Sequence, residues 1–205
     1  PAGSIRVVAL PDDASLQKIA SAFGKRVVGF ESTSALLKVN GATFPGGDVI
    51  YINIDATRPH LAVLGHELGH QLKKEAPAVY MKLVNFIREQ INQGKYGQFG
   101  KDYKGYSEEE IREEFIGEVF SDGFMDRGFW YSLASHNQSL YESVVNAVQK
   151  LWAKVKEALK PYTPKTDKYL RDYAAVMRMA GEAMAEYQAS KKGKPGPAKF
   201  NTEPV

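Results

Sequence analysis

The chain contains no cysteine and only four histidines. The first absence excludes disulfides and thiolate metal sites, and leaves His, Asp and Glu as the ligands for an ion such as zinc. No apolar run approaches the roughly 18 residues that a membrane-spanning helix needs. Neither sign of charge is in large excess: the formal net charge is +3. Part of that excess sits in Lys191, Lys192, Lys194 and Lys199 near the C-terminus. No stripe of Lys and Arg alternates with aromatics, which argues against a nucleic-acid partner. The start, Pro1-Ala2-Gly3-Ser4, has neither the charged nor the apolar region of a signal peptide, and it does not begin with Met. The expectation is a processed chain, or one cut from a larger polyprotein. What remains is ordinary for a globular domain, 43% hydrophobic and 25% charged residues, and 205 residues suffice for one substantial core.

Two of the four histidines fall in one pentapeptide, His66-Glu67-Leu68-Gly69-His70. Its surroundings read as a helix. Pro59 suits the first turn, Thr57 is a candidate N-cap, and Leu61, Leu64, Leu68 and Leu72 make an apolar stripe that excludes His66, Glu67 and His70. Histidines at i and i+4 leave a helix on one face, so their ring nitrogens can meet one tetrahedral Zn²⁺. A Glu beside them is placed to take a proton from a metal-bound water. The chemistry implied is metal-assisted hydrolysis of a peptide or protein substrate by one catalytic zinc ion.

The chain before the motif reads as mixed. Residues 5–10 form a strand. A helix with Leu16, Ile19, Ala20 and Phe23 follows, opened by Asp12 or Asp13 and closed by Gly24. Residues 26–30 and 35–39 read as strands, and Asn40-Gly41 as a hairpin signal. Residues 48–55 alternate, with Ile50, Ile52 and Ile54 on one side. If that strand has an open edge, an extended substrate can pair there. After the motif everything reads helical. Pro77 opens one segment. Residues 94–105 are a Gly- and Tyr-rich loop. Ser107 with Glu110 has capping-box form and starts a helix to about residue 128. Ser139 with Glu142 has the same form, for a helix that stops at Pro161. A last helix covers about 166–190. The fold class expected is α+β: a small mixed N-terminal sheet with the motif helix (about 1–75), a mostly helical part (about 76–190) and a disordered basic tail (191–205).

Two histidines do not complete a catalytic zinc site, which takes three protein ligands and an open position. His60 lies on another face of the same helix, and His136 is distant in sequence. Glu114, Glu118 and Asp122 stand at i, i+4 and i+8 on an otherwise apolar helix. One carboxylate of this ladder could bind zinc while another accepts the spare ring N–H of a ligand histidine.

A histidine motif followed by a helical Glu resembles the gluzincin peptidases. Residues 114–120, EFIGEVF, are similar to the ligand helix of the lethal-factor-like and Pro-Pro-endopeptidase-like branch. That resemblance implies a zincin-like fold, with His66, His70 and Glu114 on zinc, Glu67 as general base, Glu118 orienting a ligand histidine, and Tyr106 (or else Tyr103) assisting at the oxyanion. A second register, Glu118-Val-Phe-Ser121-Asp122, resembles thermolysin-type enzymes and would make Glu118 the ligand and Asp122 the orienting carboxylate. The stretch from residue 45 to 190 also resembles zincin-like domains embedded in polyvalent proteins of phages and conjugative elements. This implies a bacterial or phage-associated protein, cytoplasmic or injected. The alternative to a peptidase is a non-catalytic or weakly active binding or regulatory module on the same scaffold.

Overall fold

The computed structural model describes residues 5–9, 14–32, 41–43, 48–56, 58–93, 119 and 123–192. Four strands, β1 (Ile5–Val8), β2 (Arg26–Ser32), β3 (Gly41–Thr43) and β4 (Val49–Asn53), form one sheet in the order β1-β2-β4-β3. β1 is antiparallel to β2, β2 parallel to β4, and β3 antiparallel to β4. The sheet is therefore mixed, and the described elements after residue 58 are helical: the α+β class expected from the sequence. The strand expected at 35–39 lies outside the described residues, as do Asp12, Asp13 and the tail beyond Lys192.

Helix α1 (Ala14–Ser21) crosses between β1 and β2, burying Leu16, Ile19 and Ala20. It ends through Gly24, whose φ of 70° is the left-handed conformation that glycine adopts without a Cβ clash. The amide of Lys25 then returns to the Ala20 carbonyl at 3.0 Å and β2 begins. β4 is buried at Ile50 and Ile52 and half-buried at Val49, Tyr51 and Asn53, as its alternation predicts.

The sequence leaves open whether β4 has a free edge. It is an inner strand, with β2 on one side and β3 on the other, so both its edges are already hydrogen-bonded and no extended substrate can pair with it. The edge on that side of the sheet belongs to β3.

Asn53 turns the chain from β4 toward the motif helix. Its side-chain oxygen accepts from Asp55 N at 3.0 Å, and its carbonyl accepts from Ala56 N at 3.0 Å. Helix α2 (Pro59–Glu75) then starts with Pro59 in the first turn, where a missing N–H costs nothing. The N-cap position is Arg58, which caps with no side-chain bond, in place of the expected Thr57. The proline's fixed φ sets the helix start here, and Arg58 has no short oxygen to reach the free amides. Leu61, Leu64, Leu68 and Leu72 are all buried. Ala76 alone separates α2 from α3 (Pro77–Asn92).

Among the described residues three further helices build the core: α4 (Arg127–His136), α5 (Gln138–Ala158) and α6 (Lys168–Lys191). Each has an acidic or amide cap. Asp126 accepts from Gly128 N at 2.7 Å, Asn137 from Leu140 N at 2.9 Å, and Asp167 from Tyr169 N at 2.9 Å and Leu170 N at 3.0 Å. Ser139 is therefore inside α5 and does not cap it. α4 is a separate helix, set off by a turn at Phe124 and Met125, where the sequence reads one helix to residue 128. Trp130, fully buried, donates to the Phe124 carbonyl at 3.1 Å and so satisfies a group that the turn frees. No described helix is long and apolar enough to cross a membrane.

The first turn of α2 is tied to α6. His60 is 1% exposed, its ring centroid 4.3 Å from that of Tyr169 and 5.3 Å from that of Tyr173. Its Nε2 lies 3.1 Å from Asp172 Oδ2, and its Nδ1 has no partner among the described residues. Burial pushes the imidazole below its usual value, partly offset by Asp172, while the imidazole lowers the Asp172 carboxyl. The two shifts act in the same direction. A histidine with a depressed folded pKa stabilises the fold fully above its unfolded value, and that contribution drains away as pH falls below about 6.5. Asp172 loses its share at lower pH, below about 3.9. The thermal midpoint is therefore expected to fall between pH 7 and pH 5, and His60→Gln to flatten that slope. Parallel slopes for wild type and variant in calorimetry would contradict this.

Candidate metal centre

α2 places His66, Glu67 and His70 off its buried leucine stripe, all three half-buried. The Nε2 atoms of His66 and His70 approach to 2.7 Å, with the ring planes 83° apart. One ring must donate to the other, so at most one of the two nitrogens carries a proton at this contact. Two nitrogens on a tetrahedral zinc ion stand roughly 3.3 Å apart at Zn–N distances of about 2.0–2.1 Å. Opening the pair from 2.7 Å by about 0.6 Å would thus admit the ion. Burial, then the neighbouring His70, then Lys25 push His66 down to about 3. The ring is neutral at physiological pH, the form in which it can bind metal.

Glu67 Oε1 is buried and accepts no hydrogen bond from any described residue. Burial raises its carboxyl, opposed by the positive charges of Lys25 and Lys154. A carboxyl poised in this way is suited to take a proton and give it back. One turn further on, Gln71 Oε1 is likewise buried with no partner among the described residues, while its amide donates to Glu75 Oε2 at 3.2 Å. Glu75 also meets Lys150 of α5 at 3.4 Å. Glu67, Gln71 and Glu75 thus form a polar ladder at i, i+4 and i+8 facing α5.

The fit to zinc rests on this donor set. Two imidazoles converge, that of His66 neutral, and a carboxyl oxygen with no hydrogen-bond partner among the described residues lies beside them. His60 and His136 are engaged elsewhere. His60 is locked against α6, and His136 Nδ1 lies 3.7 Å from Glu89 at the far end of α4. Among the described residues no group of three or more His, Asp or Glu side chains forms a metal site. Glu114, Glu118, Asp122, Tyr106 and Tyr103 lie outside the described residues. Their sequence neighbour Val119 is helical and fully buried.

Sequence reasoning missed Gln71, Lys25 and Lys154. Gln71 was legible as the residue one turn beyond Glu67. The two lysines come from a loop and from a helix far along the chain, and nothing local marks them. No family model, curated protein or solved structure matches the chain.

Proposed function

We propose that the protein is a zinc-dependent endopeptidase. The observation that carries this reading is the 2.7 Å convergence of the His66 and His70 nitrogens beside Glu67, whose buried Oε1 has no partner among the described residues. The resemblance to gluzincins supports it. His66 and His70 would hold the ion, with Glu114 as third ligand. When bound, zinc supplies a Lewis acid and lowers the pKa of water toward about 7. Glu67 receives the proton of the attacking water and carries it to the leaving amine. Tyr106, or in its place Tyr103, hydrogen-bonds the developing oxyanion. Glu118 orients a ligand histidine, with Asp122 as the corresponding group in the second register.

Zinc stoichiometry and cleavage of a mixed peptide library test the reading together. The wild type is expected to bind one zinc ion and to cut peptides, with cutting abolished by a chelator and restored by zinc. Glu114→Gln is expected to lower zinc affinity by at least about 10-fold, while Glu118→Gln weakens it less. The opposite order would assign Glu118 as the ligand. A wild type that binds no zinc would end the proposal.

A further inference from the structure

The first turn of α2 is seated by groups that the proposed chemistry does not use. The buried His60 ring packs on Tyr169 at 4.3 Å and on Tyr173 at 5.3 Å. Tyr173 donates to the His60 carbonyl at 3.1 Å and meets Trp152 of α5 at 5.2 Å. This end of α6 is anchored in turn by α1, where Ser15 donates to Asp167 Oδ2 at 3.0 Å. The seat reaches solvent at Asp172, whose side chain is 31% exposed.

That seat has room for one proton on the ring and not for two. With the proton on Nε2, the ring faces the Asp172 carboxylate 3.1 Å away. A second proton must go to Nδ1, which is buried and has no partner among the described residues. A buried donor without an acceptor is costly, and more so on a charged ring. Burial opposes the charged form most strongly; Asp172 favours it, while Lys168 of α6 and Arg58 at the start of α2 oppose it. The first turn of α2 is also the positive end of that helix dipole. Tyr173 brings no charge, since burial pushes its hydroxyl further up.

We propose that His60 is an acid-operated latch on the motif helix: the neutral ring docks the first turn of α2 on α6, and the doubly protonated ring leaves its seat and frees that turn. An exposed imidazole takes up its proton near pH 6.5, the docked ring only at lower pH. Opening therefore becomes easier as pH falls below about 6.5, by about 20-fold between pH 7 and pH 5. The release reaches the metal centre through the backbone. In an α-helix the amide of each residue bonds the carbonyl four residues earlier, so the His66 amide depends on Ala62, within the freed turn.

The test is amide hydrogen exchange on the full chain, read on fragments covering residues 58–66 and, for comparison, 77–92 of α3, with rates corrected for the intrinsic effect of pH. It needs neither zinc nor cleavage, so it stands apart from the peptidase reading. Protection of residues 61–64 is expected to fall about 20-fold from pH 7 to pH 5. Urea below the unfolding transition should not speed that exchange, since a local opening exposes little surface. His60→Gln and His60→Phe should each abolish the fall; the second keeps an aromatic ring against Tyr169. Asp172→Asn should retain it, because the proton goes to the imidazole. Protection that does not fall in the wild type overturns the latch, as does a fall that survives both His60 substitutions. It is equally overturned if residues 61–64 match α3 in protection and in urea dependence, for then the turn opens only with the whole fold.

Discussion

Glu67→Gln is expected to lower turnover by about 10²–10⁴-fold while zinc remains bound. The amide has the shape of the carboxyl but cannot accept and return a proton. The exchange breaks no hydrogen bond between Glu67 Oε1 and a described residue. His66 and His70 meet each other through their own rings and do not depend on Glu67 for their contact. The measurement is the initial rate on a library-selected peptide, with zinc content determined on the same samples. A variant as active as wild type would remove Glu67 from the chemistry. A variant that loses both zinc and activity would make it a structural support of the site instead.

Trp130→Ala is expected to cost about 3–5 kcal/mol of stability through the lost side chain and the cavity left behind. The loss of its hydrogen bond to the Phe124 carbonyl adds about 1 kcal/mol. Trp130 is fully buried, stacked on Phe124 at 5.9 Å and packed edge-to-face with Phe129 at 5.5 Å and Tyr141 at 6.1 Å. These neighbours come from the turn before α4, from α4 itself and from α5, so one truncation loosens three pieces of chain. Urea unfolding would measure it. A change below about 1 kcal/mol would mean that the aromatic cluster re-closes around the gap, beyond what cores of this kind usually manage.

Much of the architecture was legible because burial imposes a period. The leucines of α2 recur every three or four residues and all are buried; the isoleucines of β4 recur every two, and Ile50 and Ile52 are buried. Helix starts at Pro59 and Pro77 followed from a residue that fits only the first turn. Other features were not legible, for equally physical reasons. Strand order depends on pairing between segments, and alternation within β4 carries no information about which strands flank it. The break before α4 escaped notice because Phe124, Phe129 and Trp130 keep an apolar rhythm across it. Asn137 and Ser139 are both good caps two residues apart. Asn137 takes the role because its extended backbone closes α4 and opens α5 at once, with φ −159° and ψ 105°. At the site, the histidine pair and Glu67 could be read from five letters, whereas the effect of Lys25 and Lys154 on Glu67 depends on residues far from the motif in sequence.

The tie between the motif helix and α6 carries a consequence for the order in which the site matures. Tyr173 donates to the His60 carbonyl at 3.1 Å across 113 residues of sequence. On a ribosome, the leucine stripe of α2 can find strands and neighbouring helices early. The polar groups of its first turn gain their partners only after Tyr173 has left the exit tunnel. Until then the His60 ring and carbonyl stay hydrated, and the buried setting of that turn does not exist. The helix that carries His66 and His70 is thus translated well before α6, and its packing is completed only once α6 has emerged.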